Sequence, residues 1–224
     1  NVGFITAKSI AGDIDARNMV VAGVGTFISD ITVNSVTVGR GANSVEGNTA
    51  LGDFALDAVT TGSLNIAIGR NSLTDLTTGA SNVAVGKDAG ANITTGSSNV
   101  AVGQGALTTQ TTADNNTAVG KDALTANTSG TRNVAVGTRA AKTVTTGGSN
   151  VAIGYECLEF TTTGSMNVAV GHQALESNTT ADSNVAIGNA AMVSNTTGNN
   201  NVAIGQQALD ANTTGSQSIA IGSQ

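Results

Sequence analysis

From Asn48 to Gln217 the chain repeats itself every 17 residues, ten times, with no insertion or deletion. The units open at Asn48, Asn65, Asn82, Asn99, Asn116, Asn133, Asn150, Asn167, Asn184 and Asn201, and an eleventh opens at Ser218. A unit this short cannot bury its own apolar face, so it must stack on its neighbours. The period therefore predicts an all-β fold, a parallel β-solenoid or β-roll of 17-residue coils, and a rod rather than a globule with a pocket. Three segments follow: 1–47 as a β-rich cap or shaft-linking segment, 48–217 as ten coils, and 218–224 as a truncated eleventh.

Each unit reads N-V-A-V-G-x-x-A-L-x-x-N-T-T-G-x-x, with Ala third and Gly fifth in all eleven starts. Positions two to four, such as Val83-Ala84-Val85, have the alternation of a short strand. One face of it is branched and the other is Ala. We expect the branched face to fill the coil and the Ala face to meet another backbone or subunit. The fifth-position glycines, among them Gly86, Gly103 and Gly154, end the strand in a turn. The next segment, as in 171–178, does not alternate, and its adjacent Ala-Leu suits one short helical turn per coil. Thr-Thr-Gly turns the chain back.

Parallel stacking brings identical residues to about 4.8 Å apart, so ten coils span on the order of 48 Å. The first-position residues Asn65, Asn82, Asn99, Asn133, Asn150, Asn167, Asn184 and Asn201 then form a ladder, their amides bonding to coils above and below. Thr at position thirteen is placed to form a second ladder. About three bulky side chains per coil is a thin core against the ordering cost of 17 residues, which argues for a homo-oligomer about a common axis.

Composition removes several function classes. With 9 basic against 15 acidic residues and no basic cluster, nucleic-acid binding is not expected. No apolar run is long enough to insert into a membrane. One His and one Cys cannot make a zinc site, and no phosphate loop, nucleophile elbow or calcium repeat is present. Neither a cofactor nor enzymatic activity is expected. Cys157 occupies a column otherwise filled by Ala and Ser72, which marks it as a packed thiol. Because the chain begins at Asn1 and stops inside a repeat, we expect it to be a piece of a longer protein.

The Asn-Val-Ala-Ile-Gly and Asn-Thr-Ala-Val-Gly pentads resemble the head repeats of trimeric autotransporter adhesins, which are trimeric left-handed parallel β-rolls with shorter coils. The longer unit at 205–216, and the stretches 2–10 and 23–30, resemble bacteriophage tail fibres, including those of marine phages. The resemblance implies a homotrimer, side by side or intertwined. It implies a structural shaft in a virion that positions a receptor-binding tip, with other fibre proteins and a cell-surface glycan or receptor as partners. The alternative it implies is an extracellular adhesin head with a ligand on its side. An ice-binding solenoid is a minor third reading, drawn from the Thr columns.

One coil departs from the rest. Residues 150–166 carry Tyr155, Glu156, Glu159 and Phe160 where other coils mostly hold small or polar residues, and His172 occupies the position of Tyr155 one coil later. Tyr155, Glu159, Phe160 and His172 form the candidate ligand patch. The competing reading is drift at solvated positions.

Overall fold

The computed structural model describes residues 31–33 and 36–223. The stretches 2–10 and 23–30 that carry part of the phage-fibre resemblance lie outside that range, as do the first thirty residues of the 1–47 segment. The described strands form a single 13-stranded sheet in which each follows the last in chain order. β1 (Ile31–Val33) pairs antiparallel with β2 (Val36–Gly39), and β2 pairs antiparallel with β3 (Thr49–Gly52). From β3 onward every pairing is parallel, through β4 (Ile66–Ile68) to β13 (Ile219–Ile221). The register follows the repeat: Ala84 pairs with Ala101, and Ala101 with Ala118. This is the parallel β-solenoid that the period predicts.

Only the three or four strand residues of each coil join the sheet, yet the remainder is also tied to the adjacent coils. Leu73 N–H donates to Ala89 O (3.1 Å), Asp75 N–H to Ala91 O (3.0 Å) and Thr77 N–H to Thr94 O (2.8 Å). Backbone groups all round the coil are thus paired with the neighbours, as an ordered interior requires.

The expected helical turn is absent from the coils. The only helix among the described residues is a short 3-10 turn, Ala42–Ser44, ahead of the first coil. The segment after the glycine instead makes two successive turns, closed in one coil by Ala89 N–H to Gly86 O (3.4 Å) and Ile93 N–H to Gly90 O (3.1 Å). Handedness is the reason. The seventh and ninth residues of every complete coil have positive φ, for example Glu156 at 55° and Leu158 at 51°, and so does the seventeenth, as in Ser81 at 60°. Alternate left-handed residues cannot lie in a right-handed helix. None of these three columns contains Val, Ile or Thr, although the chain is rich in all three. Branched side chains pay most sterically for that conformation.

The two faces of the strand are the reverse of the sequence expectation. The third-position Ala84, Ala118, Ala135 and Ala152 are wholly buried inside the coil, whereas Ile153 is 41% and Ile187 38% exposed outside it. The lumen is narrow because a three-residue strand and tight turns enclose it. Leu107, Leu124 and Leu158 at position nine, with the side chains at position twelve, fill it, and only methyl-sized side chains fit against the strand. One buried cluster runs from Ala50 to Ala208. The invariant Ala column therefore records a contact within the coil, not a sister chain.

Cys157 lies in the same core, fully buried, its Sγ–H donating to Gly154 O at 3.2 Å. Ser72 makes the equivalent bond to Gly69 O at 2.9 Å. Burial pushes the thiol up to about 12. Cys157 should therefore resist alkylation at pH 8 in the native protein and react only on unfolding, as thiol titration with and without denaturant will test. Because Ser72 already occupies the slot, Cys157→Ser should change stability by less than about 1.5 kcal/mol.

Candidate functional site

The Asn ladder is the most regular polar feature. Asn150 donates from its backbone N–H and its Nδ2 to Asn133 Oδ1 (2.9 and 3.1 Å), and from Nδ2 to Gly164 O (2.9 Å). Its Oδ1 accepts from the Asn167 backbone N–H (3.0 Å) and Nδ2 (3.2 Å). Asn65, Asn82, Asn99, Asn133, Asn167, Asn184 and Asn201 are likewise wholly buried. Each of these amides holds its coil to the one before and to its own last turn, which is a stabilising role and leaves nothing to offer a ligand.

Gly86, Gly103 and Gly154 sit at φ of 135°, 128° and 141°, where a side chain is strained. A Cβ on Gly154 would lie 2.4 Å from Gly171 O. The column is glycine because each coil's turn rests directly on the next.

A second buried ladder escaped the sequence reading. Position twelve begins as Val59, Leu76 and Ile93 and then turns polar at Gln110 and Asn127. Asn127 Nδ2 donates to Gln110 Oε1 (2.9 Å), and further along Asn195 Nδ2 donates to Asn178 Oδ1 (3.3 Å). Recurrent Asn at that position was the available signal.

The irregular coil divides into an exposed and a sealed part. Tyr155 and Phe160 are 46% and 47% exposed. Tyr155 stacks on His172, ring centroids 5.4 Å apart and planes 12° from parallel. The stack runs along the rod, so the two rings spend one face each on each other. The neighbouring Glu156, through a hydrogen bond and its charge, pushes the Tyr155 phenol above its ordinary range.

Glu159 does not join that surface. It is 1% exposed and Glu156 is 8% exposed, and Arg139 from the preceding coil forms an ion pair with each. The placing of Glu159 in an accessible ligand patch fails, because positions seven and ten face each other across stacked coils. Glu156, Glu159 and Glu176 bring oxygens within 4.8 Å of one another. The spacing of 17 residues from Arg139 to Glu156 was legible as a vertical pair in the repeat, whereas the spacing of 20 to Glu159 was not. The guanidinium already engages two of the three carboxylates, and the sealed Glu159 cannot serve as one of a facing pair in an open cleft.

The remaining feature is large and apolar. Positions two and four of the eleven parallel strands line the outside of the sheet in two columns, and the fourth position is Val, Ile or Leu in all eleven. Ile68, Val136, Ile153, Ile187 and Ile204 are each 36% to 41% exposed.

These features define a parallel β-solenoid with a ladder-filled interior and a lengthwise apolar strip. Compared with protein-family models, with curated proteins and with solved structures, the chain matches none. Among the described residues, no helix is long and apolar enough to cross a membrane.

Proposed function

We propose that this chain is a stiff structural segment of a homotrimeric fibre, a shaft that holds a receptor-binding tip away from its base, in a phage tail fibre. The observation that carries the reading is the apolar strip on the outside of the sheet. It runs the full length of the coils, on the order of 48 Å, as one continuous stripe rather than scattered single side chains, and contiguous exposed apolar surface marks interaction sites. Association of three copies through this face would bury it, and the unbroken register would make the assembly rigid. In this reading the chain is not an enzyme, its partners are its own copies and neighbouring fibre proteins, and its place is the virion.

Sedimentation and small-angle scattering test it. The expected particle is an elongated trimer, and a compact or monomeric one overturns the reading. Val136→Asp with Ile153→Asp puts two charges on the strip without touching the coil interior. That variant should sediment as a monomer while keeping the circular dichroism of the parent.

The exposed Tyr155–His172 stack and Phe160 support a second reading, an adhesin head with a side-on ligand. Loss of cell or glycan binding in Tyr155→Ala with Phe160→Ala, the trimer intact, would favour it. The Thr columns lend ice binding little support. The hydroxyls of Thr77, Thr94 and Thr128 are spent on the next coil's carbonyls at 3.0, 3.1 and 3.0 Å.

A further inference from the structure

We propose that Glu156, Glu159 and Glu176, gathered around the single guanidinium of Arg139, form a proton-operated clamp across three consecutive coils, with Glu176 as the member that takes the proton. The inference is independent of the fibre reading.

Charge counting begins the argument. Three carboxylates lie within 4.8 Å of one another and one cation faces them. Arg139 pairs with Glu156 and Glu159, whereas Glu176 forms no ion pair among the described residues. With all groups ionised, the cluster holds two uncompensated negative charges in a partly dehydrated site. Like charges at such range raise one another's proton affinity. Burial, then the charges of Glu156 and Glu159, hold Glu176 above the ordinary carboxylate range.

The surrounding groups do not cancel this. Gln173, in the column of Arg139 and Glu156, donates from Nε2 to Glu156 Oε2 at 3.3 Å. Hydrogen bonding to Gln173 and the proximity of His172 pull Glu176 the other way, and both count for less than burial and the two carboxylates. Lys142 precedes Glu159 in its column and makes no ion pair with it. Tyr155 is itself held protonated by Glu156.

The direction follows from linkage. A carboxyl that binds its proton more tightly when folded adds stability below its unfolded pKa and loses it as pH rises through the folded one. Protonated Glu176 removes repulsion and supplies an O–H donor beside the two carboxylates that pair with Arg139. Residues 139–176 should therefore tighten as the pH falls through the raised range of Glu176 and loosen above it.

The test is the melting temperature of the full chain between pH 7.5 and 5.5 at constant ionic strength, for the parent, Glu176→Gln and Asp210→Asn. Asp210 lies in the same column two coils on and controls for removal of a surface charge. Glu176→Gln should melt about 2–4 °C above the parent at pH 7.5 and lose part of the parent's gain on acidification. Asp210→Asn should keep the parent's pH profile. A Glu176→Gln protein that melts at or below the parent at pH 7.5, or that keeps its full pH dependence, overturns the proposal. So does selective stabilisation of the parent by calcium at pH 7.5, because the occupant would then be a cation. Infrared spectra supply an independent readout: on acidification a carboxylic-acid carbonyl band should appear at higher pH in the parent than in Glu176→Gln.

Discussion

Gly137→Ala should cost more than about 3 kcal/mol and break the rod into two independently melting halves. Gly137 sits at φ 138°, and a Cβ there would lie 2.3 Å from Gly154 O in the next coil. This part of φ space is accessible essentially to Gly alone and costs other residues about 1–3 kcal/mol before any clash. The clash adds to it, because the contact is backbone on backbone and neither coil can turn aside without breaking its ladder. Stability in a stacked array is a sum of unit and nearest-neighbour terms, so one damaged interface uncouples the coils on either side. The matched control is Gly148→Ala, where the nearest atom would be Thr131 O at 3.0 Å and other coils carry Ala80 or Ser97 in the column. Thermal melts should show two transitions for Gly137→Ala and one for the control. A single unshifted transition for Gly137→Ala would mean that the coils are not in contact here.

Asn150→Asp is the second large effect, and it changes almost no volume. The substitution removes the two donors that reach Asn133 Oδ1 and Gly164 O, at 3.1 and 2.9 Å. It leaves a carboxylate facing those two acceptors in a wholly buried position. An uncompensated buried charge of this kind costs about 3–5 kcal/mol. Its pKa should rise, because burial and the facing oxygens both disfavour the ion. The penalty should therefore be largest at neutral pH and shrink as the solution is acidified toward the variant's raised pKa. Urea titrations at pH 7.5 and 5 measure it: the deficit against the parent should be smaller at the lower pH. An equal deficit at both would show that the new carboxyl stays neutral or reaches water. Asn150→Ala tests the same bonds without charge and leaves Gly164 O and Asn167 N–H unpaired, at about 1–3 kcal/mol each.

Both effects concern columns that are legible in the sequence, and much of the fold is legible with them. An invariant Asn, Ala and Gly at a spacing of 17 set the parallel register, and Ala84 does lie opposite Ala101. The Cys157 slot could be read from its column too. The irregular coil stood out as the place to look, but its internal arrangement did not. Tyr155 and His172 stack as stacked positions should, whereas Glu159 turned from a surface ligand into a sealed partner of Arg139. That required knowing that positions seven and ten meet, and this depends on the path of the turns.

What the sequence determined by itself was the repeat: a coil length, a register and the residues that stack in it. These follow from periodicity alone, because identical units in contact with identical neighbours must align. What only the tertiary structure decided was which side of each column faces in. Alternation with a period of two is the same whether Ala or Val lines the lumen, and only the width of the closed coil chooses between them. With left-handed residues at positions seven, nine and seventeen, the turns draw the coil so tight that Ala goes inside, and the branched residues are left along the outside of the rod.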